Sequence, residues 1–249
     1  MISVSHCLEL VAAGVAAGVV GAAGGITSLI SYPALLAVGI APLPANVTNA
    51  VALVASLPGS ALGSQRELTG QFRWIARWAS LCALGALVGV ALLLFTPDRV
   101  FNVLVPYLLA SAAVVLLAQP LVSRWRDRRR ASSRALWPLG LFAVSVYSGY
   151  FGAGSGIMVL ALFLLSVERD LARANALKNV LRGVADAVAA IGFLLFGPVH
   201  LAALPLGGGL LVGSFLGPSV TRRVAPGPLR VVVALMGLAL AVGMWVTAR

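Results

Sequence analysis

The stretch GYFGAGSGI, residues 149–157, places four glycines inside a long apolar segment. An earlier stretch, GVVGAAGGI at residues 18–26, repeats the same pattern. Aligned without a gap, the two stretches match Gly18 with Gly149, Gly21 with Gly152, Ala22 with Ala153, Gly25 with Gly156 and Ile26 with Ile157. Glycine permits turns with positive φ and lets other backbone approach closely. The recurrence predicts two helix breaks, one in each half of the chain.

Glycines also occur where membrane helices pack closely, in small-xxx-small patterns. Gly14-xxx-Gly18 and Gly213-xxx-Gly217 suit this alternative. For a single glycine-rich run, helix packing is the better interpretation. Here each run is followed by a matched asparagine, Asn49 or Asn179, and this doubled order favours breaks. The run GAGSGI lacks the GxGxxG spacing and the preceding strand of a dinucleotide site.

The composition indicates a membrane protein. Of 249 residues, 60% are hydrophobic and 10% are charged, whereas soluble proteins carry about 25% charged residues. A hydrocarbon core needs about 20 apolar residues per helix. Six segments are long enough to cross it, and four shorter ones form two pairs joined at the glycine runs. The ten predicted helices are 8–20, 26–38, 44–64, 74–95, 100–119, 136–151, 156–167, 172–196, 198–220 and 228–247.

Positive charge fixes the predicted orientation. The net charge is +11, but the arginines lie in connections between apolar segments, which argues against nucleic-acid binding. Because Lys and Arg favour cytoplasmic loops, we expect the arginine-rich loops to be inside. These are residues 65–77, 120–135, 168–173 and 221–230. The connections 38–46, 96–100 and 196–200 carry almost no positive charge and are expected outside.

Residues 136–167 then begin and end inside, so they form a hairpin with GAGSG at its tip. Residues 1–38 form a similar hairpin that enters from outside. Five segments per half is an odd number, so the halves insert in opposite directions. We therefore predict an all-α membrane protein made of two inverted-topology repeats, each one broken-helix hairpin plus three transmembrane helices, a common plan in secondary transporters. The first repeat is 1–119, the basic cytoplasmic linker is 120–135 and the second repeat is 136–249.

The helices that follow the breaks predict an anion site. A helix N-terminus carries free N–H groups and about half a positive charge. Two such ends that meet in the membrane from opposite faces favour an anionic ligand. The residues expected to contact it at the breaks are Gly24, Gly25, Gly154, Ser155 and Gly156.

The segment RANALKNVLRGVADAV, residues 173–188, carries polar side chains at membrane depth. Its spacing predicts one helical face formed by Asn175, Asn179, Arg182 and Asp186. Lys178, the only lysine, lies one turn before Arg182. Arg182 is roughly 13 Å beyond Arg173 along a helix, near the middle of the membrane. A charge at that depth is functional by default.

A structural role for these charges stays open. Arg182 and Asp186 form an ion pair in that alternative, and Lys178 extends towards the inner surface. Asp186 is the candidate for a proton-carrying group, and its role as a charge partner is as well supported. In the first half, Thr48 and Asn49 could hydrogen-bond an oxyanion, whereas Asn46 follows Pro44 and could cap a helix.

No metal site, redox centre or cofactor is expected. Cys7 and Cys82 are isolated in apolar runs, and His6 and His200 are expected to be terminal and loop residues. No CxxC motif and no Cys/His cluster occurs in the sequence.

These features together resemble the TauE/SafE family of sulfite and organosulfonate exporters. The resemblance covers nearly the whole chain. It rests on GVVGAAGGITSLISYPALLAVGIAPLPANVTNAVAL in the first half and GYFGAGSGIMVLALFLLSVERDLARANALKNVL in the second. The first half departs from the family pattern in its shorter run GAAGG, and the second in Ser155. The resemblance implies transport of small sulfur oxyanions or organosulfonates, driven by an ion gradient.

The sequence therefore predicts a secondary transporter of a small anion that works by alternating access, as a multi-pass protein of the inner (plasma) membrane. Its partners are the anionic substrate and the lipid bilayer, and a homo-oligomer stays open. Three alternatives remain. An uncoupled anion channel would use the same residues. An enzyme would need a nucleophile and base, or metal ligands, which the sequence does not supply. A cation or lipid transporter would need more buried carboxylates or a lateral groove.

Overall fold

The computed structural model describes residues 3–24, 26–58, 68–125, 133–167, 171–221 and 226–247. Regular structure within these ranges is entirely helical, as the sequence predicts. The helices are α1 (Val4–Gly24), α2 (Ser28–Ala37), α3 (Pro42–Leu53) with a following 3-10 turn (Val54–Ser56), α4 (Phe72–Leu94), α5 (Asp98–Trp125), α6 (Ser133–Tyr150), α7 (Ser155–Ser166), α8 (Leu171–Phe196), α9 (Ala203–Thr221) and α10 (Pro226–Thr247).

Among the residues that the structure describes, four helices contain a stretch long and apolar enough to cross a membrane: α1, α4, α5 and α8. Shorter apolar stretches lie in α2, α7, α9 and α10. The prediction that the first segment is short is wrong, because α1 has 21 residues rather than the span 8–20. The predicted helix 44–64 is interrupted at the 3-10 turn, and its residues 59–64 lie outside the described ranges.

Two pairs of parallel helices are packed through glycines. In α1, Gly14 and Gly18 lie directly against the backbone of α9, and a Cβ on Gly18 would stand 2.7 Å from the carbonyl oxygen of Leu210. In α4, Gly85 lies against α6 in the same way, and its Cβ would stand 2.7 Å from Cβ of Ser145. Both pairs join helices from different halves of the chain. Only glycine permits backbones to approach this closely.

The packing interpretation is therefore right for part of each glycine run. Gly18 contacts α9, and its matched residue Gly149 contacts the backbone of Ala86 in α4. The glycines nearer the breaks behave differently, since Gly152 and Gly154 both have a φ of +77°. Helix packing and chain reversal thus occupy successive parts of one motif.

Five pairs of neighbouring helices have counterparts elsewhere in the chain. The pairs are α1–α9 and α6–α4, α1–α2 and α6–α7, α2–α3 and α7–α8, α2–α10 and α7–α5, and α3–α9 and α8–α4. In each case the number of both helices increases by five, and the numbering continues from α10 to α1.

The helices enclose a main apolar core, to which α5 and α10 contribute where they contact each other. A Cβ on Gly237 would stand 3.6 Å from Cβ of Ala113 there. A second cluster joins α4, α6 and α7 through aromatic rings, with Trp137 and Phe163 centroids 4.8 Å apart. The outer faces are also apolar, and Leu195 of α8 is 68% exposed. Apolar outer surfaces of this extent are those of a protein surrounded by lipid.

Candidate functional site

The second break is a hydrogen-bonded turn between α6 and α7. Left-handed backbone at Gly152 and Gly154 reverses the chain, as the glycine pattern predicts. Side chains pair the carbonyl groups that the turn releases: Tyr147 Oη donates to the Ala153 oxygen at 2.6 Å, and Ser155 Oγ donates to the Gly152 oxygen at 2.8 Å. Non-helical backbone within a membrane survives only when such partners are present.

A residue from the other half of the chain also holds the second break. Asn46 Nδ2 donates to the carbonyl oxygen of Tyr150 at 2.9 Å. The prediction that Asn46 caps a helix is wrong, because α3 begins at Pro42 and its N-cap is Ala41. Pro42 suits the first turn of the helix, so α3 starts four residues before Asn46.

The first break separates α1, which ends at Gly24, from α2, which begins at Ser28. Gly25 lies outside the described residues, and so do the surroundings of Gly24. The carbonyl oxygen of Thr27 accepts from Ser31 N at 3.0 Å and from Ser31 Oγ at 3.1 Å. The Thr27 side chain packs against Gly21, where a Cβ would overlap the Thr27 hydroxyl. The first break therefore brings a threonine into the space left by a glycine.

Both breaks lie beside the middle of a long helix. A Cβ on Gly154 would stand 3.1 Å from Cβ of Ala112, which is midway along α5. At the first break, Leu29 Cδ2 would stand 3.5 Å from a Cβ on Gly237, which is midway along α10. The breaks are thus far from the ends of α5 and α10.

A cavity of about 40 Å³ adjoins the first break. A water molecule needs about 10–15 Å³ on this measure, so the cavity has room for about three waters or one very small ligand. The lining comes from both halves of the chain. It consists of Gly18, Gly21, Thr27, Ser56, Leu57, Asn179, Arg182, Gly183, Asp186 and Ser214.

Arg182 is the cation among these lining residues, and Asp186 is the carboxylate. Arg182 Nε lies 3.4 Å from Asp186 Oδ2, and the two side chains are 10% and 11% exposed. The ion pair that the sequence offers as an alternative is therefore present. Its geometry is imperfect, because Arg182 Nε is buried and has no hydrogen-bond acceptor. The Ser148 hydroxyl also lies against the Asp186 carboxylate.

Lys178 and Asn175 lie one turn from the cavity and are not part of its lining. Lys178 is 0% exposed, and its Nζ donates to Asn175 Oδ1 at 2.7 Å. The alternative in which Lys178 extends towards the inner surface requires its ammonium group to reach solvent. The ammonium group does not reach solvent in this structure. The predicted polar face of α8 is thus divided: Asn179, Arg182 and Asp186 face the cavity, and Lys178 with Asn175 lies towards the start of the helix.

Thr48 and Asn49 are buried in contacts with neighbouring backbone and helices. Ser31 Oγ donates to Asn49 Oδ1 at 2.6 Å. The backbone N–H of His200 donates to Thr48 Oγ1 at 3.0 Å. Both residues lie outside the cavity lining. In this conformation they hold α3 against α2 and against the segment before α9.

The model of the sulfite exporter TauE/SafE family matches residues 10–244. The chain belongs to the TauE/SafE family. Three relatives are named probable membrane transporter proteins: ORF9 of Sinorhizobium sp, YfcA of Escherichia coli K12 and a Haemophilus influenzae protein. They are 26%, 26% and 27% identical to it over 84%, 84% and 85% of this chain, and over 79%, 76% and 82% of their own lengths. No solved structure matches significantly.

Membership of the TauE/SafE family makes this chain a membrane transporter, and its apolar helices make it a multi-pass membrane protein. The family is one of transporters and is not a class of enzymes. In the described part of this TauE/SafE chain, His, Cys, Asp and Glu side chains form no group of three or more that could hold a metal ion.

Three hydroxyl residues of the cavity in this TauE/SafE transporter were missed by sequence reasoning: Thr27, Ser56 and Ser214. A signal for Ser56 exists. Ser56 precedes Asp186 by the same number of residues as Asn49 precedes Asn179. The repeat alignment therefore extends about two helical turns beyond the asparagines and relates two residues of the lining. The predicted residues Gly154, Ser155 and Gly156 are buried at the second break and do not line this cavity.

Proposed function

We propose that this TauE/SafE transporter carries a small anion, a sulfur oxyanion or an organosulfonate, by alternating access around the cavity beside the first break. One observation carries the proposal. Arg182 is a buried cation in a cavity between the two halves of the chain, and its Nε lacks a hydrogen-bond acceptor.

The chemistry of the lining suits an oxyanion. Guanidinium groups bind planar oxygen pairs of anions through parallel hydrogen bonds. The hydroxyls of Thr27, Ser56 and Ser214 and the amide of Asn179 lie around Arg182. The Ser56 and Ser214 hydroxyls donate to the Leu53 and Leu211 carbonyl oxygens here, so they would rotate to donate to an anion. Lys178 is buried one turn away, and its amine, when protonated, adds a positive charge near the site that attracts an anion.

Alternating access follows from the proposed inverted repeats, 1–119 and 136–249, joined by the cytoplasmic linker 120–135. The recurrence of helix neighbours between the halves supports this arrangement. Thr27 and Ser56 come from the first half, and Arg182 and Ser214 from the second. Rocking of one repeat against the other would therefore open this cavity to one side and close it to the other.

The remaining predicted contacts belong, in this proposal, to other states of the cycle. The second break carries Gly154, Ser155 and Gly156 beside the middle of α5, where they would approach the anion once the repeats have moved. Asn49 would change partners in the same movement. Gly24 and Gly25 at the first break stay predictions. We place the protein in the inner membrane, with a homo-oligomer left open.

The test is uptake by proteoliposomes containing the purified chain, with sulfite, thiosulfate, sulfonates and sulfate as substrates. Arg182→Ala should abolish uptake of the transported anion, and Lys178→Ala should reduce it strongly. Arg99→Ala, at an exposed position near the start of α5, is the matched control and should transport normally. Normal transport by both Arg182→Ala and Lys178→Ala would show that the site is elsewhere.

The same preparation separates a transporter from an uncoupled anion channel. A coupled transporter accumulates the anion against its concentration gradient when an ion gradient is imposed. A channel only equilibrates it. Equilibration without accumulation, at every imposed gradient, would replace the transporter by the channel.

A further inference from the structure

The charges lining the cavity cancel, and this limits the anions that fit. Arg182 and Asp186 are the charged groups among the ten lining residues. Their side chains are about nine-tenths buried, so water screens them weakly. An anion that binds Arg182 therefore also meets the full effect of the carboxylate beside it.

The distance between the two groups places them side by side. Arg182 Nε is 3.4 Å from Asp186 Oδ2, and Nε is the buried Arg182 nitrogen that lacks an acceptor. A ligand oxygen that accepts a hydrogen bond from Nε therefore lies close to the carboxylate as well. Two anionic oxygens in contact repel each other strongly in a buried site. A ligand O–H or N–H group would remove the conflict by donating a hydrogen bond to Asp186.

The other groups around Asp186 do not distinguish a ligand that carries a hydrogen-bond donor from one that lacks it. On its own helix, Asp186 faces Arg182, with Lys178 one turn further. From α6 it meets the Ser148 hydroxyl. The cavity residues contributed by α1, α9, the first break and the 3-10 turn are glycines and the hydroxyls of Thr27, Ser56 and Ser214. Hydroxyls donate or accept as required, so they accept either kind of ligand.

We propose that the cavity selects a singly charged oxyanion that also carries a hydrogen-bond donor, and discriminates against dianions and against monoanions without a donor. Hydrogensulfite belongs to the favoured class, and the sulfite dianion and sulfate do not. The inference rests on the proposed function, because it assigns the protonation state of the anion held at the same site. The small volume of the cavity restricts the favoured class to compact XO₃-type groups.

Sulfamate and methanesulfonate test this directly. Both are compact monoanions with an SO₃ group, and they differ in that sulfamate has an NH₂ donor where methanesulfonate has a methyl group. Calorimetry on the full chain in lipid nanodiscs should show sulfamate binding at least about tenfold more tightly, since an unpaired buried carboxylate is costly. Sulfate should bind more weakly than sulfamate. Equal affinities for sulfamate and methanesulfonate would overturn the inference.

Asp186→Asn provides the second arm. Without the negative charge, sulfate should bind more tightly than it does to the unmodified chain, and the advantage of sulfamate over methanesulfonate should shrink several-fold. Asp98→Asn, at an exposed carboxylate at the start of α5, is the control and should leave both ratios unchanged. An unchanged sulfate affinity in Asp186→Asn contradicts the proposal. If that variant does not fold, the sulfamate comparison on the unmodified chain still decides.

The outcomes also separate this inference from the proposed function. If none of these anions binds, or if Arg182→Ala binds all of them as the unmodified chain does, the proposed function itself fails. If binding occurs, requires Arg182 and shows no preference for a donor, the anion site stands and only the assigned protonation state is wrong.

Discussion

Ser31 donates a hydrogen bond of 2.6 Å to Asn49, which joins α2 to α3 in the interior of the protein. Asn49 is the first-half member of the matched asparagines Asn49 and Asn179, and Ser31 lies in α2, the helix that follows the first break. Both residues are almost completely buried. Because neither side chain has access to water, the Asn49 amide oxygen relies on Ser31 as its donor, whereas the Ser31 hydroxyl also has the Thr27 carbonyl oxygen within reach at 3.1 Å.

Removal of either partner should therefore destabilise the protein. Ser31→Ala leaves the Asn49 amide oxygen without its donor, which costs about 1–3 kcal/mol. Thermal unfolding in detergent should show a clear fall in Tm. The double variant with Asn49→Ala should lose less than the sum of the two single losses. Ser80→Ala, which removes an exposed hydroxyl, should leave Tm unchanged. Strict additivity would show that the bond contributes nothing.

Gly154→Ala should damage the second break through both conformation and space. A left-handed backbone costs an L-residue about 1–2 kcal/mol, and the new methyl group would crowd Ala112 at 3.1 Å. Gly39→Ala isolates the first effect, because Gly39 has a φ of +86° and open space around it. We expect Tm to fall further for Gly154→Ala than for Gly39→Ala. Equal losses would mean that contact with α5 is unimportant.

The α1–α9 contact should be sensitive to one methyl group. In Gly209→Ala the new Cβ would overlap the Val11 carbonyl oxygen, so α1 and α9 must separate. Overpacking of this kind costs about 1–3 kcal/mol. The adjacent Gly208→Ala is the matched control, since no atom lies within 4 Å of its Cβ, and alanine favours a helix. Fluorescence size-exclusion chromatography should show loss of the first variant and retention of the second.

Asp186→Asn should remove the dependence of transport on a pH gradient. The reason is that the variant keeps an acceptor beside Arg182 but has no proton to exchange. Uptake by proteoliposomes with and without an imposed pH gradient measures the effect. Asp98→Asn should retain the gradient dependence of the unmodified chain. If Asp186→Asn retains it too, Asp186 serves as a charge partner of Arg182 and another group couples transport.

The predicted orientation can be tested with single cysteines in a Cys7→Ser, Cys82→Ala background. Ala41→Cys lies in the exposed connection before α3 and should react with an impermeant maleimide in intact cells. Arg128→Cys, in the predicted cytoplasmic linker 120–135, should react only after the membrane is opened. Labelling of both positions from the same side would refute the orientation derived from arginine counts.

Within the described residues, sequence reasoning located the α-helices except for the length of α1 and the interruption after Leu53, because hydrophobic length and turn residues determine helices locally. The split of each glycine run was less accessible. Whether Gly149 packs against another helix or turns the chain depends on α4, which is distant in sequence. The suggestion that Asn46 caps α3 was wrong for a local reason. Pro42 and Pro44 both suit the first turn of a helix, and α3 begins at Pro42.

The cavity shows the same limit. Helical spacing placed Asn179, Arg182 and Asp186 on one face, and all three line the cavity. Thr27 and Ser214 could not be found from spacing, because they enter from a break and from α9. Lys178 is in the same helix but lies outside the lining, and its side chain donates to Asn175, one turn earlier. Periodicity gives the direction of a residue from its helix, and neighbouring helices decide what it meets.

The close glycine contacts of α1 with α9 and of α4 with α6 link the two halves of the chain to each other. Because α9 is synthesised near the end of the chain, α1 can contact it only after almost the entire polypeptide has been inserted. Neither half would be expected to accumulate when produced separately, whereas two coexpressed fragments divided within residues 126–132 should assemble into a single stable particle.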